Sequence, residues 1–76
     1  MKNLLRYIIE AVVDEKEDIN INEVDGEKTT IFEVKVSDSD VGKLIGKKGR
    51  TINAIRTITK AAQNKQDKKV MVEVLQ

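Results

Sequence analysis

The hydrophobic positions of this chain change their period several times along its length, and each change marks an element. Over residues 3 to 14, Leu4, Leu5, Ile8, Ala11 and Val12 recur at the spacing of one helical face. Ile9, Val13 and Tyr7 widen the apolar arc until only Asn3, Arg6, Glu10 and Asp14 remain on the polar side. An arc of that width exceeds what one sheet face covers, so part of it is expected to meet a second partner. From Asp18 the period becomes two. Ile19, Ile21 and, less clearly, Glu23 alternate with Asn20, Asn22 and Val24, and Asp25-Gly26 supplies turn chemistry. In residues 29 to 36, Phe32, Val34 and Val36 share one face, Glu33 and Lys35 take the other, and Ile31 sits among the outward positions. The two segments together predict a half-buried antiparallel hairpin.

The helical period then returns. Ser37, Asp38, Ser39 and Asp40 offer N-cap side chains before Val41, Leu44 and Ile45, which predicts a short helix that stops at Gly46. A further helix opens just past Gly49, with Ile52, Ile55, Ile58 and Ala62 as its apolar stripe and Arg56, Lys60 and Gln63 pointing away. Residues 64 to 69 form a charged polar loop, and residues 70 to 75 are β-rich and close the domain. The order is therefore α-β-β-α-α-β, an α+β fold read as one domain over residues 1 to 76. Its three-stranded mixed sheet is expected to carry the helices packed on one face. The crossover through two helices sets the third strand parallel to the second, right-handed by the usual rule.

Composition narrows the function. Seventy-six residues leave no room for an elaborate catalytic pocket, and the chain has no histidine and no cysteine, hence no thiolate chemistry, disulfide framework or metal-ligand spacing. No cofactor is expected and an enzyme is disfavoured. Arg6 and Glu10 interrupt any apolar run at the start, so the first segment reads as a helix of the mature fold, not a signal peptide, and a cytoplasmic location is expected. The net charge of +1 conceals an asymmetry: residues 1 to 40 carry five Lys/Arg against eleven Asp/Glu, and residues 41 to 76 carry nine against two. The second half is a candidate footprint for an anionic partner.

That positive charge gathers where the glycines do. Residues 41 to 56, VGKLIGKKGRTINAIR, hold three of the four glycines and five of the fourteen basic residues. A steep helix-to-helix turn favours glycine where a Cβ would oppose the backbone, which accounts for Gly46 and Gly49 but not for Lys47, Lys48 and Arg50. The first turn after Gly49 has unpaired N–H groups and a positive dipole end, a ready anion site. Glycines admit a phosphodiester close to the backbone, the three cations supply charge, and a linear polyanion would be held without its sequence being read. Gly42, one turn before Gly46, leaves a shallow spot. An apolar groove would be walled by Val41, Ile45 and Ile52, with Ile31 or Val34 opposite; the alternative makes these residues core.

The segment VGKLIGKKGRTINAI resembles the GxxG signature of KH domains: an apolar residue and glycine ahead, isoleucine directly before the first glycine, and a Thr-Ile pair after the second. With helix, strand, strand ahead of the motif and one strand behind it, the resemblance covers the whole chain and is to the type II arrangement. The free-standing domain is similar to the KhpA family of small bacterial RNA-binding proteins. That resemblance implies a cytoplasmic protein that binds single-stranded RNA and self-associates. It further implies a KhpB (Jag/EloR-like) KH partner and a role in cell elongation and envelope growth. It places a phosphate clamp on Gly46, Lys47, Lys48 and Gly49, and a groove on Val41, Gly42, Ile45 and Ile52. Lys65, Lys68 and Lys69 fall on the variable loop and either add contacts or are simply solvated.

Two rivals frame this reading. The spacing of the glycines is neither a Walker A loop nor a dinucleotide fingerprint. A protein-interaction or dimerisation module with little RNA specificity is the stronger competitor, because a single groove spanning about four nucleotides binds weakly. A homodimer through apolar surface on the first or third helix would answer both points, since two grooves on one particle gain avidity. Tyr7 and Phe32 are the only aromatic residues; both are expected in the core, which disfavours recognition by aromatic platforms.

Overall fold

The computed structural model, which describes residues 2–63 and 68–75, builds its packing around the hairpin. β1 (Asn20–Asp25) and β2 (Thr29–Lys35) pair antiparallel, with Ile21 opposite Val34 and Asp25 opposite Thr30. β3 (Lys69–Leu75) joins β2 in parallel, with Val70 opposite Thr30 and Val72 opposite Phe32. The sheet order is thus β1-β2-β3. Because side chains alternate across a strand, the register carries one buried face from strand to strand: Ile21, then Thr30, Phe32 and Val34, then Val70 and Val72. The opposite face holds Asn20, Asn22, Glu33, Lys35, Lys69 and Glu73, interrupted by an apolar row in which Val24 faces Ile31 and Ile31 faces Met71, and by Leu75 opposite Lys35.

The helices α1 (Lys2–Glu10), α2 (Val41–Ile45) and α3 (Arg50–Gln63) supply the rest of the core. Leu5 and Ile9 from α1, Leu44 from α2, and Ile52 and Ile55 from α3 join the buried sheet residues, Val13, Ile19 and Val36 in one cluster. The α-β-β-α-α-β order, the three-stranded mixed sheet and the antiparallel hairpin are those expected from the sequence and from a type II KH domain.

Several details differ, each for a local reason. The first helix stops at Glu10 instead of 14, and the chain continues as a hydrogen-bonded turn in which the N–H groups of Val12 and Val13 both reach the Ile9 carbonyl, at 2.9 and 3.0 Å. That turn drops Val13 into the core, so the buried face is Leu5 and Ile9, with Ile8 and Val12 packed alongside. Leu4 and Ala11 face outward, and Tyr7, expected in the core, is 73% exposed. A short 3₁₀ turn at Lys16–Asp18, without an apolar signature, follows.

The hairpin turn is displaced by two residues from Asp25-Gly26. Gly26 donates to the Thr29 carbonyl at 2.8 Å, which makes Glu27 and Lys28 the tip. On α3 the buried stripe is Ile52, Ile55 and Thr59, while Ile58 is 45% exposed and Ala62 faces solvent. Thr59 enters the core because its hydroxyl donates to the Ile55 carbonyl at 2.7 Å, satisfying inside the helix the polar group that argued for the surface. The strand expected over 70 to 75 begins one residue earlier. Most of the preceding polar loop, with Lys65, lies outside the described residues.

Leu44 is the fully buried residue of α2. A helix of five residues has no stability of its own, so Leu44 is the main apolar anchor of α2, with half-buried Val41 and Ile45 packed beside it. Leu44→Ala is expected to lower the unfolding free energy by about 2–5 kcal/mol, a shift that urea denaturation followed by circular dichroism measures directly.

Candidate functional site

Between α2 and α3 the backbone turns within four residues. Gly46 closes α2 by donating to the Gly42 carbonyl at 2.8 Å, and takes φ 79°, ψ 171°, a region open essentially to glycine. A Cβ there would lie 2.3 Å from the Thr51 hydroxyl and 2.8 Å from the Thr51 amide nitrogen. Gly46 is therefore demanded from within, by the first turn of α3. Lys47, Lys48 and Gly49 form a single 3₁₀ turn, closed by Gly49 N–H to the Gly46 carbonyl at 3.1 Å and by Arg50 N–H to the Lys47 carbonyl.

Two positive φ values follow in succession, 55° at Lys48 and 75° at Gly49. Among the described residues Lys48 is the one non-glycine in this region, where an L side chain costs about 1–2 kcal/mol. Lys47, Lys48 and Arg50 are all exposed. α3 starts at this point with no acidic residue in its first turn, so the positive end of its dipole has no carboxylate of its own there.

The two ends of the motif differ in what surrounds them. A Cβ added to Gly42 would meet nothing within 4 Å. Glycine inside a helix is destabilising by about 0.5–1 kcal/mol relative to alanine, and nothing in the surrounding structure requires it here. Beside Gly42, Val41 and Ile45 are half-buried and packed against the core. Ile52 is only 5% exposed and belongs mainly to the core.

The opposite wall named from the sequence does not form. Val34 is fully buried under the helices, and Ile31 lies on the sheet face turned away from them. A groove of about 340 Å³ instead runs between α3 and the edge strand β3, lined by Arg56, Lys60 and Val70–Glu73. Arg56 and Lys60 were expected to point away from the fold. Arg56 lies across to β3, its Nε donating to the Val72 carbonyl at 3.2 Å and its Nη1 to the Asn53 side-chain oxygen at 3.4 Å. Helical periodicity assigns such residues to the solvent side; the sign of their placement is that β3 is an edge strand with carbonyls open to a donor. Of the variable-loop lysines, Lys68 pairs with Asp25 and Lys69 opens β3.

The other flank of α2 is polar and tethered. Asp40, expected as an N-cap, makes no capping bond to α2. Its carboxylate is 1% exposed and accepts the Glu15 N–H at 2.8 Å, with Lys43 Nζ 3.9 Å from its second oxygen. Lys43 in turn donates to Asp14. The hydrogen bond from Lys43 and its charge hold the Asp14 carboxyl below the ordinary value of 3.8, and the same hydrogen bond raises the Lys43 ammonium above 10.5. The contribution of Asp14 is thus fully present above the ordinary carboxylate range and is lost as pH falls through its lowered value; that of Lys43 is lost only as pH rises through its raised one. Both groups are charged at neutral pH.

Comparison with known proteins places this geometry. A family model described as "KhpA/KhpB, KH domain" matches residues 2–74. A protein from Clostridium perfringens named "RNA-binding protein KhpA" is 52% identical over 75 residues, covering 99% of this chain and 100% of the relative. One of the same name from Chlamydia caviae is 45% identical over 76 residues, covering 100% and 97%. A third, from Borreliella burgdorferi, is 43% identical over 72 residues, covering 95% and 88%. With a half-strained glycine-lysine turn between two helices, the strand order of a type II domain, and matches along nearly its full length, the chain belongs to the KhpA/KhpB KH domain family.

Proposed function

We propose that this chain is a single KH domain that binds single-stranded RNA, with the phosphate backbone held at Gly46, Lys47, Lys48, Gly49 and Arg50. The observation that carries the reading is the turn itself. Lys48 is kept in a left-handed conformation that glycine or asparagine would adopt more cheaply, at the mouth of a helix that has no acid in its first turn. A cation held there has a use when an anion arrives. The name shared by the relatives, RNA-binding protein KhpA, supports RNA as that anion.

Bases leaving the clamp lie along Gly42, Val41, Ile45 and the edge of Ile52, and continue toward the groove where Arg56 and Lys60 face β3. The open space over Gly42 supports this path, since a glycine that the fold does not need is explained by something outside that comes close to it. The function is binding and not catalysis. The chain acts in the cytoplasm as a homodimer or with a KhpB-type KH partner, in post-transcriptional control tied to cell elongation and envelope growth. Exposed Leu4 and Tyr7 on α1 and Ile58 on α3 favour self-association through the helices. They are also what a pure interaction module would display, the second reading.

Short single-stranded RNA titrated across a salt series separates the two. Lys47→Asp with Lys48→Asp is expected to abolish measurable binding at moderate salt in a folded protein, and a double variant that binds like the wild type leaves only the interaction module. Gly42→Ala is expected to raise stability by about 0.5–1 kcal/mol while weakening RNA binding, a pair of opposite signs that melting and titration read together. Sedimentation at several concentrations is expected to give a dimer that Ile58→Glu dissociates; a wild type that stays monomeric throughout removes the homodimer.

A further inference from the structure

The clamp is carried by a helix too short to orient itself. α2 has five residues; Leu44 fixes its depth in the core, and its rotation about that anchor depends on what holds each flank. Successive residues on a helix are turned by about 100°, so Val41 and Ile45 fall on one flank of Leu44 and Lys43 on the other. The Val41–Ile45 flank packs beside the core next to the open spot at Gly42. The Lys43 flank is bound to the connection between α1 and β1 by the Asp14, Asp40 and Glu15 contacts.

We infer that Asp40 is a positioning residue for the proposed RNA site: its buried carboxylate, with Lys43 and Asp14 outside it, ties the back of α2 to the α1–β1 connection and so holds the Gly46–Gly49 turn in its binding geometry. The inference rests on the phosphate-clamp reading above. Asp40 touches no ligand in this scheme. It immediately precedes Val41, so any rotation of α2 must break its hydrogen bond from Glu15 N–H or swing Lys43 away from Asp14.

Three features support this role over a merely solvated charge. Asp40 is 1% exposed, and buried carboxylates are retained only where they are paired or hydrogen-bonded. Its partner is a backbone N–H 25 positions away, so the bond links two distant segments of chain. Lys43, although it sits inside the glycine-lysine stretch, is committed to Asp14 and Asp40 on the flank away from Val41 and Ile45. It belongs to the tether and not to the phosphate track of Lys47, Lys48 and Arg50.

The role is testable by sign. Asp40→Ala removes a negative charge together with the oxygen that accepts the Glu15 N–H, so electrostatics alone makes RNA binding tighter, whereas loss of the tether makes it weaker. If the untethered turn spends about a tenth of its time in the binding geometry, apparent affinity falls about tenfold. The slope of log affinity against log salt stays as in the wild type, because the phosphate contacts remain the same in the bound state.

The measurement is titration of the full chain with a short single-stranded RNA over a salt series, with hydrogen exchange of the amides of residues 41 to 49. Weaker binding at unchanged slope, with faster exchange there, is the expected result. Binding equal to or tighter than wild type, or a shallower slope, overturns the role. Where Asp40→Ala does not fold, Asp14→Ala, which removes the acceptor for Lys43 at an exposed site, decides by the same criteria, with an expected loss of about twofold. Lys47→Asp with Lys48→Asp runs alongside: if that variant binds normally the clamp itself is wrong, and if it fails while the aspartate variants bind fully, only the positioning role falls.

Discussion

A helix of one and a half turns cannot exist in water without help, and everything distinctive about this molecule follows from supporting one. α2 is held by a leucine driven into the core and by a buried carboxylate that reaches back to the main chain of another segment. The sheet helps receive the leucine, since Phe32 and Val34 on β2, both fully buried, belong to the cluster that Leu44 joins. α3 starts from the far side of the same turn and is itself pinned to the sheet by Ile52 and Ile55, and to the edge strand by Arg56. The turn between them is thus suspended from two supports, and its unusual backbone is what joins them in four residues.

The architecture was legible because the apolar spacing switches cleanly between the helical and the strand period, and because the GxxG segment carries its own boundaries. What escaped was every place where a polar group satisfied itself unexpectedly. Thr59 is buried because its hydroxyl bonds within the helix, and it displaces Ile58 from the stripe by one position. An aspartate before a helix most commonly caps it, whereas Asp40 serves a residue distant in sequence. Helical periodicity turns Arg56 to solvent because it says nothing about an edge carbonyl lying within reach. The aromatic ring of Tyr7 suggests the core, yet the face of α1 that turns inward is set by Leu5 and Ile9.

The candidate site was legible to the same extent and for the same reason. Its residues were named from glycine spacing and charge, and the fold brings Gly42, Ile45 and the Gly46–Gly49 turn together as that spacing implies. The glycines then separate by origin: Gly46 answers to Thr51, and Gly42 answers to nothing in the chain. Pattern alone could not divide them, because both sit at the same apparent interval. The far wall of the groove required the register of β2 and β3, which places Ile31 on the opposite face and opens the space beside Arg56 and Lys60.

The left-handed Lys48 also bears on time. A flexible loop that had to find this conformation after meeting its ligand would add a rearrangement step to every encounter, and slow association accordingly. Here the free molecule already occupies it, so the backbone work is done during folding. On the proposed reading, the approach of a polyanion is governed by diffusion and by the field of the exposed cations. Differences in lifetime between one bound strand and another then arise almost wholly in how fast each departs.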